Sequence, residues 1–182
     1  MQSEPVVVAV GLLQEHGFSK VTQPSIDLVE GLGVAGDCHS GVTVQQPYRK
    51  KIRPAPPNLR QVHLIHAELF DEVLEAGHTV LPQQLGENIT TRNLDLLNLP
   101  TGTLLRLGEH AVVEVTGLRH PCFKIDNFQA GLEAKMLARD DKGKLVRKSG
   151  IMGIVKTGGR VDVGVQIGVQ LPNEPHRRMR AV

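Results

Sequence analysis

Tryptophan is absent from this 182-residue chain, and only one tyrosine and four phenylalanines are present. A core must therefore be built from Val, Leu, Ile and Ala. Single-stranded nucleic acid, which binds by stacking bases on aromatic faces, is not expected as a partner. Cysteine is nearly absent too. The two cysteines, Cys38 and Cys122, allow one bridge at most and no disulfide scaffold, and they cannot hold an iron–sulfur cluster, which takes four thiolates. No internal repeat or low-complexity tract occurs. Charge of one sign is not in excess: 21 basic against 19 acidic residues leave a net charge of +2. The surplus sits in residues 49–53 and in the tail around 176–180, which read as a solvated loop and a solvated end. The one continuous apolar run, residues 5–13, is far shorter than the roughly 20 residues a bilayer requires. No positive residue precedes it and no small-residue cleavage site follows it. These absences lead us to expect one cytoplasmic, reduced domain spanning residues 1–182, without membrane association.

What is present is mostly strand. Residues 6–13 form a β-branched run, 60–65 a short strand, and 103–107 with 111–118 a hairpin across Gly108, Glu109 and His110. Between residues 161 and 171 every odd position is apolar, a period-2 pattern with one face expected to be buried and a fold at Gly164. Helices are predicted over 67–76, where Leu69, Phe70, Val73 and Leu74 share helical spacing, and over 128–138. Seven or eight strands with two or three short peripheral helices predict a mainly β fold, a closed or nearly closed β-barrel. The polar loops 47–58 and 138–149 are the surfaces expected to shape a pocket.

Three stretches carry more chemistry than a structural role requires. Residues 36–41 (GDCHSG) place an acid, a thiol, an imidazole and a hydroxyl between two glycines, a composition that also suits an Asx turn at Asp37. Residues 85–90 (LGENIT) place Glu87 and Asn88 after Gly86. Residues 118–126 (LRHPCFKID) set Cys122 directly behind Pro121, which fixes the backbone, with Arg119, His120 and Lys124 close by. Cations beside a thiol favour the thiolate, the form that attacks or binds metal. Cys122 as a small buried hydrophobe is the plain alternative.

Taken in order, these stretches resemble the MOSC domain family, named for the C-terminal domain of molybdenum-cofactor sulfurase. The matching series runs G-x-x-G-D-x-H-x-G from residue 33, Q-V-x-L-I from 61, L-G-E-N-I-T from 85, and G-x-x-L-x-L-G from 102. V-T-x-L-R-x-P-C then begins at 115, and G-[IV]-x-x-x-G-G-x-V ends at 161. The resemblance implies a mostly β, barrel-like fold and a molybdenum cofactor (molybdopterin) whose metal is ligated by Cys122, a soft thiolate on a rigid turn. It also implies reduction of small N-hydroxylated compounds, such as N-hydroxylaminopurines and amidoximes. Pyridoxal phosphate is not expected. His39 and Asp37 are candidates for proton transfer beside Cys122, and Asn88, Glu87, Arg119, Thr116 and Gly36 for cofactor binding, with residues 49–53 available to a phosphate. Electrons would come from a separate donor protein, and a homodimer is compatible with this reading. The alternatives are a persulfide carrier using Cys122, a zinc site made of Cys38, His39, His120 and Cys122, and a cofactor-binding module without turnover.

Overall fold

The computed structural model of the protein describes residues 3–47 and 49–182. Tyr48, inside the loop 47–58, lies outside the described residues. Among the described residues there are thirteen strands: β1 (Val6–Leu12), β2 (Val21–Gln23), β3 (Ser25–Val29), β4 (Gly33–Val34), β5 (Val62–His66), β6 (Ile89–Arg92), β7 (Leu104–Leu107), β8 (Ala111–Leu118), β9 (Leu137–Arg139), β10 (Leu145–Arg147), β11 (Ile151–Thr157), β12 (Gly159–Asp162) and β13 (Ile167–Gln170). Three short helices accompany them: α1 (Glu68–Glu75), α2 (Lys124–Phe128) and α3 (Leu132–Lys135). None of these helices is long and apolar enough to cross a membrane.

Eight strands form the main sheet in the order β13-β7-β8-β11-β5-β6-β1-β2, while β12-β3-β4 and β9-β10 form two smaller sheets. Pairing is antiparallel except between β5 and β6, where Leu64 faces Ile89 and Ile65 faces Thr90. The predicted closed or nearly closed barrel is therefore incorrect: the sheets are open and mixed. Strand β2 is three residues long, largely exposed, and ends the ladder beyond β1. Strand β12, which could have extended the sheet after β11, turns away to pair with β3. Between β1 and β13 no ladder forms: an isolated bridge, Val6 to Gln166, and backbone hydrogen bonds of Val7 with Gly164 and Val165 join β1 to the turn before β13. A period-2 pattern shows that a strand has a buried face; it does not show which neighbour the strand pairs with.

The hairpin predicted over 103–107 and 111–118 is β7 with β8, and along β8 Ala111, Val113 and Val115 are buried and alternate with half-exposed residues. The period-2 pattern expected over 161–171 holds less well. The chain folds at Gly164 into β12 and β13 as expected, yet Val163, Val169 and Leu171 are exposed. The helix predicted over 67–76 is α1, with Leu69, Phe70 and Val73 buried and Leu74 outside. The one predicted over 128–138 is instead the end of α2, a break at Gln129, whose backbone is extended, and then α3 and β9. Residues 138–149 are not a loop, since β9 and β10 make a hairpin there.

Two apolar clusters follow from this topology. One lies between the main sheet and the β12-β3-β4 sheet and includes Val7, Ile26, Leu28, Leu64, Leu105, Val113 and Val161. The other lies under the helices and includes Ile65, Leu69, Phe70, Val73, Ile125, Leu132 and Met136. Strand β5 sends Leu64 to one and Ile65 to the other, so it is buried on both faces, as a strand in a parallel pair commonly is. Each large side chain buried this way contributes about 1.5–3 kcal/mol of apolar transfer. Ile125 is the anchor that fixes α2, and with it the turn holding Cys122.

Candidate functional site

The chain leaves β8 at Leu118 and is immediately pinned: the Arg119 amide donates to the Gly150 carbonyl at 3.0 Å. Pro121 is buried and cannot continue a ladder. The Cys122 carbonyl then accepts from the Ile125 amide at 2.9 Å, which opens α2. Cys122 is thus held, half-buried, between a strand end and a helix start, and its thiol is free. It lines a cleft of about 760 Å³ together with Arg119, His120, Pro121, Phe123 and Lys124. Other segments complete the wall: His16, Phe18 and Lys20 after β1, His39 and Arg49, Arg60 and His63 near β5, Gly86 and Asn88, and Met152.

Arg119 lies beside Cys122 in the cleft wall, and its Nη1 is buried without a hydrogen-bond partner. Burial lowers its pKa, with Cys122 and Glu87 opposing. Glu87 is fully buried and absent from the cleft wall. Its Oε1 accepts from the Gln83 amide at 2.5 Å and from the Thr90 hydroxyl at 3.0 Å, while Oε2 has no partner. Burial raises its pKa.

Asp37 is the hub of the second wall. Oδ1 accepts from the His39 amide at 2.9 Å and lies 3.2 Å from His39 Nδ1, closing the Asx turn that the sequence suggested. Oδ2 accepts from the Lys20 ammonium, from Asn88 Nδ2 at 3.1 Å and from the Leu13 amide at 3.2 Å. Burial alone would raise the pKa of Asp37; the His39 hydrogen bonds and the Lys20 ammonium outweigh it and hold the carboxyl well below the usual range. Cys38 goes the other way, its thiol pushed up by burial and then by the Asp37 charge. Asn88 spends its side chain on the frame: Oδ1 accepts from the His63 amide at 3.1 Å, and Nδ2 donates to the Gly11 carbonyl at 3.2 Å as well as to Asp37.

The structure therefore brings Cys122, His39, Arg119 and Asn88 to one cleft, with Asp37 directly behind His39. Thr116 is elsewhere, its hydroxyl donating to the Leu59 carbonyl at 2.7 Å. Gly36 shapes the turn before Asp37 and does not line the cleft, and of residues 49–53 only Arg49 does. Cys38 and His39 lie close to His16, while His120 and Cys122 belong to the β8 end of the cleft, so the four-residue zinc set read from the sequence is not the cluster that forms. His16, Lys20, Arg60 and His63 were not singled out in the sequence. His63 had a signal, a polar residue inside an otherwise apolar strand; His16, Lys20 and Arg60 had none.

His63 carries a consequence for pH. Its Nε2 lies 2.8 Å from the Ser149 carbonyl, and burial, then the Arg119 charge, push its pKa well below 6.5. The unfolded chain takes up that proton near pH 6.5 and the folded chain does not, so stability is complete above this value and falls as pH drops below it. His66 acts in the same direction through burial. Glu87, with a raised pKa, acts oppositely, losing stability as pH rises from 4.5 through its folded value. Urea midpoints should therefore fall between pH 7 and pH 5. His63→Gln, whose amide can still donate to Ser149, should show a shallower fall. Equal slopes in the two proteins would remove His63 from the account.

The family model described as the MOSC domain matches residues 49–168. No curated protein matches the chain. Among solved structures, the YuaD protein from Bacillus subtilis superposes with a TM-score of 0.73 at 23% identity, covering 93% of this chain and 97% of that one. YiiM from Geobacillus stearothermophilus gives 0.65 at 18% identity, over 95% and 77%. YiiM from Escherichia coli gives 0.58 at 20%, over 92% and 72%. At these identities the structures speak for the fold, and the family match carries the rest: the chain belongs to the MOSC domain family, a family associated with molybdenum-cofactor binding.

Proposed function

We propose that the cleft binds a molybdenum cofactor with the Cys122 thiolate as metal ligand, and that the protein reduces N-hydroxylated compounds with electrons from a separate protein. The observation that carries this reading is the pair Arg119–Cys122, in which a buried guanidinium nitrogen without an acceptor adjoins a thiol on the cleft wall. Leaving such a donor unpaired costs about 1–3 kcal/mol, and a phosphate or pterin oxygen supplies the missing acceptor. Arg49, Arg60 and Lys124 add positive charge to the same wall, which suits an anionic cofactor. The cleft volume falls within the range of small-molecule and cofactor sites.

When bound, the cofactor supplies the two-electron oxygen-removing chemistry that no side chain can provide. The protein's own residues bind, orient and protonate. Pro121 and the start of α2 fix the direction of the Cys122 thiol. His39 is half-buried in the cleft wall, with its ring oriented by Asp37, and is the group placed to move a proton there. Asp37 is a positioning residue, because its depressed pKa keeps it ionised and unable to take up that proton. Glu87 shapes the turn that delivers Asn88 and does not reach the cleft. Two free cysteines cannot hold an iron–sulfur cluster, and the glycine run 31–36 surrounds β4 and opens no helix of a dinucleotide-binding unit, which supports delivery of electrons by another protein.

The test is molybdenum analysis together with pterin fluorescence after oxidation, on wild type and Cys122→Ala produced in a host that makes the cofactor. Both signals are expected in wild type and neither in the variant, with thermal melts a few degrees apart at most, since a thiol-to-methyl change removes little packing. Equal molybdenum in both proteins would overturn the ligand assignment. Neither molybdenum nor pterin in wild type would overturn the cofactor reading, and cyanide-labile sulfur on Cys122 would then favour a sulfur carrier.

A further inference from the structure

His16, Cys38 and His39 each offer one ligand atom, and the three atoms lie within 4.8 Å of one another. Consecutive side chains in a strand point to opposite faces, so Cys38 and His39 would ordinarily diverge. Here the backbone turns, with the Ser40 amide donating to the Asp37 carbonyl, and Cys38 Sγ comes to 3.2 Å from His39 Nδ1. In a tetrahedral zinc site, bonds of about 2.3 Å to sulfur and 2.0–2.1 Å to nitrogen place those two ligand atoms about 3.5 Å apart. The separation is already close to what an ion would impose.

The two segments that carry the ligands are fastened to each other. The Cys38 amide donates to the Leu13 carbonyl at 2.8 Å, and the Leu13 amide donates back to Asp37 Oδ2 at 3.2 Å. His16 lies three residues beyond that pin, and its ring meets the His39 ring edge-on at a centroid distance of 5.4 Å. Asp37 Oδ1 accepts from the His39 amide at 2.9 Å and so anchors that residue's backbone; the ring Nδ1, 3.2 Å from Oδ1 and from Cys38 Sγ alike, exchanges the carboxylate for the ion when it ligates. His16 is exposed, so it can swing to shorten the remaining ligand distances.

We propose that His16, Cys38 and His39 form a second metal site, separate from Cys122, that takes a borderline-soft divalent ion such as zinc with its fourth position open to the cleft. One thiolate and two imidazoles select zinc-type ions over magnesium or calcium, which prefer oxygen. Three protein ligands leave room for water or an anion, as in zinc sites that exchange a ligand. His16 and His39 both line the cleft, so that exchangeable position faces the space where small molecules enter. The site needs nothing from Cys122, but it draws on His39, so an ion bound here and proton transfer by that imidazole exclude each other.

The probe is cobalt(II), which substitutes for zinc and reports a thiolate ligand by a charge-transfer band, added to metal-stripped full-length protein with zinc as competitor. Wild type should develop the band at one equivalent, and one equivalent of zinc should abolish it. Cys38→Ser should lose the band while keeping its thermal melt. His16→Gln, on an exposed side chain, should weaken binding by at least about tenfold, since loss of even an outer-sphere partner of a metal ligand costs 10–100-fold. Cys122→Ala should retain both band and stoichiometry. No band in wild type, or a band that survives Cys38→Ser and disappears in Cys122→Ala, would overturn the proposal.

Discussion

Asp37→Ala should lower the unfolding free energy at pH 7 by about 3–5 kcal/mol, the loss that follows when one member of a buried ion pair is removed. The Lys20 and Asp37 side chains are 4% and 1% exposed, so neither charge can be screened by water in place of the other. Alanine would also strip the acceptor from the Leu13 amide, the His39 amide and Asn88 Nδ2 at once. Each of these donors sits on a different segment, and the carboxylate is what ties them together. The sign with pH follows from the depressed pKa. The contribution is fully present above the ordinary carboxylate value of 3.8 and is lost as pH falls from there through the lower folded value. Wild type should therefore show an acid-unfolding limb that the variant lacks. Denaturant titrations at pH 7 and across the acid range measure both. Asp37→Asn combined with Lys20→Met should recover a good part of the loss by removing the stranded ammonium. An Asp37→Ala protein as stable as wild type would mean that the carboxylate is not the tie described.

The placement of residues at the β8 end was legible because a single proline carried it. Pro121 cannot extend a strand, so Cys122 had to follow a fixed turn, and Arg119 had to sit just past the strand's end. Glu87 and Asn88 were legible as a pair but not as to direction. A G-E-N turn does not state which residue faces the cleft, and it is Asn88 that reaches the wall while Glu87 turns into the protein. Lys20 could not be found by pattern at all: lysine is the residue least expected to be buried, and only the folded position of Asp37 explains it. His16 depends on the pairing of two loops far apart in sequence, which no local spacing encodes. The barrel failed for a related reason. Strand existence is a local property of alternation, whereas closure depends on whether β12 joins the main sheet or the small one, and that choice is made by the Gly159–Asp162 pairing with β3.

Gly150→Ala should be the most damaging single methyl addition near the site, costing about 2–5 kcal/mol from overpacking together with a left-handed backbone. Gly150 has φ of +87°, and a Cβ there would lie 2.1 Å from the Leu64 carbonyl oxygen and 2.7 Å from Ile65 Cγ1. The first of these atoms is backbone in the middle of β5 and cannot rotate away. Relief would require β11 to separate from β5 where Ile151 pairs with Leu64. The damage would spread to the cleft by two short routes. The Gly150 carbonyl holds the Arg119 amide, and the neighbouring Ser149 carbonyl holds His63. Gly36→Ala is the matched control: φ is +76°, yet nothing lies within 4 Å of the added carbon, so it should lose only the conformational part, about 1 kcal/mol. Urea titrations of the two variants separate steric from conformational cost. If both lose the same small amount, the contact between β5 and β11 yields more readily than its geometry implies. If Gly150→Ala alone loses most of the stability and Cys122 in it becomes fully reactive to a thiol reagent, the β5–β11 junction is what holds the wall of the cleft in place.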